Sequence, residues 1–273
     1  MNRFVQQTNA GNDFLGRLRA GRTTLMLGIR GSRSTDIIRV AHSTGHHAVL
    51  VDLEHSTMSL DVAASLCAVA ADLGVMPFVR TPEREYGAIG RLLDGGALGI
   101  VAPRIETAEE ALTVVRACRF PPRGQRSQLA SVPALGMRPT PAAILNPTLD
   151  AATVVQILLE TPAGISNAEA IAAIDGVDLL ALGANDLTAE LGIAGQYDHP
   201  LVRDAVATVA EACATHGKLF MLGGISDPGL YASLAQLGVC PLILTGMDTD
   251  LLYSAVQSRA DSVLQSTSKV SVS

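Results

Sequence analysis

The stretch Thr153-Val154-Val155-Gln156-Ile157-Leu158-Leu159-Glu160-Thr161 decides how this chain is read. Between Thr153 and Glu160 only Gln156 is not aliphatic, and the run stops at a carboxylate. A second apolar run, Asp178–Leu182, ends in Gly183-Ala184-Asn185-Asp186. A strand covered on both faces must be apolar along its length, as in a parallel sheet, so an acid at its carboxyl end stands where packing stops and a pocket begins. Two such acids on neighbouring strands could share a divalent cation.

Outward from these runs the chain alternates short aliphatic segments with amphipathic ones. Strands are expected at Thr24–Ile29, His47–Leu53, Met76–Val79, Gly99–Pro103, Thr153–Leu159, Asp178–Leu182, Lys218–Leu222 and Pro241–Leu244. Between them the spacing predicts helices over Thr35–His42, Leu60–Leu73, Tyr86–Leu93, Thr107–Cys118, Asn167–Ile174, a short one from Asp186, Leu201–His216, Pro228–Leu237 and Thr249–Leu264. A leading helix, Phe14–Arg19, comes first. Thr107 and Glu110 have the spacing of a capping box. Eight strands alternating with helices make an α/β (β/α)₈ TIM barrel, and 273 residues suit one such domain of roughly 250 residues. The Pro-, Arg- and Gly-rich stretch Phe120–Asp150 lacks a steady period and is read as a functional lid or binding loop. The tail after Gln265 is read as flexible.

Composition narrows the function. Hydrophobic residues are 48% of the chain but aromatics only 3%, so the core must be aliphatic. A net charge of −6, with no basic run, argues against nucleic acid or an anionic membrane as partner. Cys67, Cys118, Cys213 and Cys240 have no CxxC spacing and read as buried free thiols, which suits a cytoplasmic protein. No uninterrupted apolar segment approaches the roughly 20 residues of a membrane span.

Chemistry in a barrel of this type sits at the carboxyl ends of the strands. There the second strand delivers Asp52, Glu54 and His55, the third Arg80, the fourth Arg104, the fifth Glu160, the sixth Asn185 and Asp186. This is a dense cluster for a chain only 17% charged. The glycines Gly223-Gly224 and Gly246, the last after Thr245, leave a second enzyme reading open, a phosphate cradle at the last two strands. A non-catalytic binding barrel is a third.

The segments Val51-Asp52-Leu53-Glu54-His55, Phe78-Val79-Arg80-Thr81-Pro82, Leu92-Leu93-Asp94-Gly95-Gly96-Ala97, Phe120-Pro121-Pro122-Arg123-Gly124-Gln125-Arg126, Glu160-Thr161 and Gly183-Ala184-Asn185-Asp186-Leu187 resemble the HpcH/HpaI aldolases, metal-dependent class II aldolases of 2-keto acids. The resemblance runs from about Gly21 to about Leu252. It implies Glu160 and Asp186 as ligands of Mg²⁺, Mn²⁺ or Co²⁺. It further implies His55 as the base, Asp94 as the residue orienting it, and Arg80 as the group stabilising an enolate. The backbone around Asn185 would bind the pyruvate carboxylate, with Gly183 and Asp186 also at the substrate, and Arg126 is either a substrate contact or a loop anchor. The substrates implied are a 2-keto acid and an aldehyde, and the assembly a homo-oligomer, a hexamer, with the helix Thr249–Leu264 packed on another chain through Leu251, Leu252, Ala255 and Val256. Leu158 departs from the pattern, standing where the family commonly has a substrate-touching Gln. A related citrate-lyase-like barrel acting on an acyl-CoA thioester is the nearest alternative.

Overall fold

The computed structural model describes residues 10–268. Helix α1 (Ala10–Arg19) leads into β1 (Thr24–Ile29), α2 (Asp36–Ser43), β2 (Ala48–Asp52), α3 (Leu60–Asp72) and β3 (Met76–Arg80). Next come α4 (Ile89–Asp94), β4 (Gly99–Ala102), α5 (Ala108–Cys118), α6 (Ala142–Ala152) and β5 (Val154–Leu159). The short helices α7 (Pro162–Ser166) and α8 (Ala168–Ala172) precede β6 (Leu179–Gly183), α9 (Ala184–Glu190) and α10 (Pro200–Thr215). The series ends with β7 (Leu219–Gly223), α11 (Pro228–Ala235), β8 (Leu242–Met247) and α12 (Asp248–Ser268).

The strands form one parallel sheet in the order β7-β6-β5-β4-β3-β2-β1-β8. Because β1 pairs with both β2 and β8, the sheet curls into a nearly closed barrel. At the remaining seam, between β7 and β8, a backbone bond from Cys240 N to Phe220 O at 2.6 Å spans the gap. The (β/α)₈ architecture is therefore the one expected.

Strand residues alternate between two cores, because successive side chains point to opposite faces of a sheet. Val155, Ile157 and Leu159 of β5 face the helices, with Leu180, Leu182, Val206 and Val209 in the same cluster. Val154 and Leu158 face the barrel interior, with Met26, Leu50, Phe78, Val101, Ala181, Met221 and Leu242. The same alternation carries Asp52, Arg80, Glu160 and Gly183 into the next layer up on the inward face. The floor is closed from below by α1, whose Phe14 ring lies 5.2 Å from that of Phe78, centroid to centroid. Gly99 is obligatory there, since a Cβ would stand 2.2 Å from the Phe78 ring.

Three local expectations change. The segment Phe120–Asp150 is not a lid: it joins the end of α5 to the start of β5, and helices run antiparallel to strands, so it lies at the amino-terminal rim. Its Phe120, Val132, Leu135, Leu145 and Leu149 plug the barrel from that side. It also holds most of α6, obscured in the sequence by Pro147, which sits inside that helix. Second, the expected helix Asn167–Ile174 gives way to the shorter α7 and α8. Third, α12 continues through Ser268, beyond the expected start of a flexible tail, of which residues 269–273 lie outside the described residues. All four cysteines are buried and free, as expected. No helix among the described residues is long and apolar enough to cross a membrane.

Candidate active site at the carboxyl-terminal rim

Asp52 is the deepest charged group of the site, with no exposed surface. Arg80 grips it with both arms of its guanidinium, Nε to Oδ1 at 3.0 Å and Nη2 to Oδ2 at 2.7 Å. Such a fork matches a carboxylate's planar geometry. Asp52 Oδ1 also accepts from the amides of Glu54 at 3.1 Å and His55 at 3.3 Å, so the same carboxylate shapes the loop after β2. Burial alone would raise the pKa of Asp52, but the Arg80 hydrogen bonds and charge, with the His55 amide, outweigh it and hold it below its ordinary value.

Around this pair stands a surplus of negative charge. Glu54 Oε2 lies 3.0 Å from Arg80 Nη1 and 3.7 Å from His55 Nε2. That buried oxygen nevertheless has no hydrogen bond. Burial pushes the Glu54 pKa up against the pull of Arg80 and His55, and Asp52 and Asp186 add to the rise. Glu160, 3% exposed, is pushed up to about 8, first by burial and then by the charges of Glu54 and Asp186, although Arg80 and the Arg104 amide pull the other way. Gly183 gives Glu160 its space: a Cβ at 183 would lie 2.7 Å from Glu160 Oε1. Asp186 lies in the first turn of α9.

Glu54, Glu160 and Asp186 thus converge electrostatically with one cation, Arg80, at their edge. Among the described residues no group of three or more His, Cys, Asp or Glu is arranged to hold a metal ion by itself. A hard divalent cation asks for less, since Mg²⁺-type sites use one or two carboxylates and complete their shell with substrate and water. The all-oxygen donors, the unbonded Glu54 Oε2 and the raised Glu160 pKa fit such a cation.

The remaining expected residues divide. His55 stands at the mouth, its side chain 51% exposed. Asn185 is exposed, its Oδ1 accepting from Tyr197 OH at 2.7 Å. Asp94 and Arg126 are not here. They pair with each other at 2.9 Å on the amino-terminal rim, where the Arg126 guanidinium also lies 4.6 Å from the Phe120 ring centre. Asp94 ends α4, and that end points away from the mouth, so within one chain it does not orient His55. Arg126, its side chain 1% exposed, anchors the barrel plug and is no substrate contact within its own chain. Of the glycines after the last two strands, Gly224 has positive φ and no room for a side chain, since a Cβ there would stand 3.1 Å from the Asn185 amide nitrogen. Glu54, seen in the sequence only as a mouth residue, proves to be a third carboxylate of the cluster.

The raised pKa of Glu160 has a thermodynamic consequence. The folded chain holds this proton up to about pH 8, while the unfolded chain releases it near the ordinary 4.5. In between, the folded state binds more protons, so stability contributed by protonated Glu160 is full at low pH and lost as pH rises towards 8. Melts of the metal-free protein should therefore show Tm falling over that window, and Glu160→Gln should remove most of the slope. An unchanged slope in the variant would place the titrating group elsewhere.

Known proteins resemble this chain in sequence and in fold. The family model described as HpcH/HpaI aldolase/citrate lyase matches residues 26–229. A 4-hydroxy-4-methyl-2-oxoglutarate aldolase of Chaetomium globosum is 39% identical over 92% of this chain and 95% of its own. A similarly named enzyme of Hapsidospora irregularis is 39% identical over 76% of this chain and 77% of its own. Among solved structures, an HpcH/HpaI aldolase from Desulfitobacterium hafniense superposes with a TM-score of 0.84 at 26% identity, covering 91% of this chain and 95% of that one. The chain belongs to the HpcH/HpaI aldolase/citrate lyase family and is a carbon–carbon lyase.

Proposed function

We propose that the chain is a divalent-metal-dependent aldolase that cleaves or forms 4-hydroxy-2-keto acids, with pyruvate as the enolate component. The observation that supports this most directly is the buried Glu160 beside Glu54 and Asp186, with Arg80 at their edge. A hard cation held by Glu160 and Asp186 would supply Lewis acidity towards the keto oxygen. Arg80, fixed by Asp52, adds a positive charge that need not reorganise as negative charge grows on that oxygen. His55 takes the proton of the C4 hydroxyl while the C3–C4 bond breaks. The bonding electrons move into the enolate, the aldehyde or ketone forms at C4, and the proton then returns to C3 to give pyruvate. The backbone of Gly183 to Asp186 borders the place for the substrate's C1 carboxylate. The names of the fungal relatives point to a substrate of the 4-hydroxy-2-oxoglutarate type.

Dialysis against a chelator should abolish pyruvate release, and Mg²⁺, Mn²⁺ or Co²⁺ should restore it. Turnover that survives complete metal removal would reject the metal-dependent reading. His55→Ala should lower turnover by roughly 10²–10⁴ with metal affinity nearly unchanged, because the imidazole moves a proton and ligates nothing. Normal turnover in that variant would assign the proton to another group.

For the metal ligands, added Mn²⁺ should raise the Tm of the parent protein by mass action, and Glu160→Gln or Asp186→Asn should lose the shift. Equal shifts in all three proteins would place the cation away from these carboxylates.

We further infer self-association through α12. Leu252, Tyr253, Val256 and Leu264 on this helix are 65%, 70%, 60% and 66% exposed, an apolar surface that a lone chain leaves in water. Its direction is fixed by Asp248, which accepts from the amides of Arg30, Gly31 and Ser32. Light scattering should give a mass several times 28.4 kDa, a hexamer on the family resemblance, and removal of residues 249–273 should reduce it. A monomeric parent would refute the assembly.

A further inference from the structure

Arg104 is one of three non-glycine residues with positive φ among the described residues, at 51°. A left-handed backbone is costly for a side chain of this size and persists only where the surroundings hold it. Here it turns the Arg104 amide onto Glu160 Oε2 at 3.2 Å. The Cα therefore stands beside the carboxylate assigned to the metal, and the side chain runs out along the mouth. Its Nη2 meets Glu190 Oε1 at 2.8 Å, and its Nε lies 3.7 Å from Glu83 Oε2. Glu190 ends α9 and Glu83 follows β3, so the guanidinium rests where three strand-to-helix loops meet.

Arg104 and Arg80 hold their charges differently. Arg80 is 15% exposed and forked onto a carboxylate with no exposure at all. Arg104 is 30% exposed, and its partners Glu83 and Glu190 are 39% and 41% exposed. Pairs this open to water contribute little, so a ligand carboxylate can take the place of Glu190 while Glu190 returns to solvent. Arg80 can make no such exchange without stranding a buried charge.

Resting on the 2-keto acid site proposed above, we propose that Arg104 binds the second carboxylate of a dicarboxylic 2-keto acid and so selects diacids over acids ending in a methyl group. In a five-carbon acid with its keto group at Glu160 and Asp186, C5 lies three bonds from the keto carbon, within about 5 Å at ~1.5 Å per bond. An extended arginine side chain starting beside Glu160 covers that distance. The planar guanidinium offers the paired donors that a terminal carboxylate accepts, and a terminal methyl group cannot use them.

The test measures binding and does not depend on turnover. Calorimetry in Mn²⁺ compares 2-oxoglutarate with 2-oxovalerate, which has a methyl group in place of the distal carboxylate and neither of which carries the 4-hydroxyl needed for cleavage. The parent should prefer 2-oxoglutarate by roughly 10- to 100-fold, the worth of one charge-assisted pair. Arg104→Gln should bring the ratio towards one, Arg104→Lys should leave it intermediate, and Glu190→Gln, which removes the competing carboxylate, should raise it. A parent ratio near one overturns the assignment, as does an unchanged ratio in Arg104→Gln, even if both acids bind more weakly. Binding of neither acid overturns it together with the 2-keto acid site. If the ratio behaves as expected while no 4-hydroxy-2-keto acid is cleaved, the subsite stands and the proposed cleavage reaction falls.

Discussion

The fork between Arg80 and Asp52 is the contact on which the mouth of this barrel depends. It ties the ends of β2 and β3 together, and the same carboxylate takes the amides of Glu54 and His55, so the loop carrying the imidazole is shaped by it. Removing one partner of a buried pair costs roughly 3–5 kcal/mol, because the other is left charged and dry. That penalty makes Arg80 a fixed charge. Held from behind by Asp52, the guanidinium is kept in one orientation at the mouth.

Against that fixed cation the chain sets more carboxylates than one guanidinium can neutralise. Glu160 responds by holding its proton up to about pH 8, and Glu54 is shifted the same way. Such crowding of like charges is unfavourable, and protonation or an added positive charge relieves it. Gly183 completes it passively, by having no side chain where the Glu160 carboxylate must lie.

The two rims of the barrel divide the labour. The carboxyl-terminal rim carries exposed histidine, strained backbone and unbalanced charge. The amino-terminal rim carries the Asp94–Arg126 pair, the Phe14–Phe78 contact and the plug of residues from the long connection. This matches the general separation of function from stability in (β/α)₈ barrels. It also shows why a motif match is not enough to place Asp94 and Arg126: the direction of an element decides which rim its residues reach, and within one chain these two meet on the amino-terminal rim, away from His55.

The sequence by itself determined the barrel, because the burial demands of a parallel sheet appear directly as aliphatic runs, and strand polarity then places Asp52, Arg80, Glu160 and Asp186 at one end. The side of the molecule taken by Phe120–Asp150 was available from the same logic, since a connection from helix to strand must return to the amino-terminal rim; irregular composition and Pro147 concealed it. Only the tertiary structure decided which charges pair. Arg80 chooses Asp52 while Asp94 goes to Arg126, and Arg104 turns left-handed to meet Glu160. Periodicity reports which face a residue occupies, whereas pairing depends on distances of 3–4 Å between side chains from separate strands and loops, fixed only when the barrel closes.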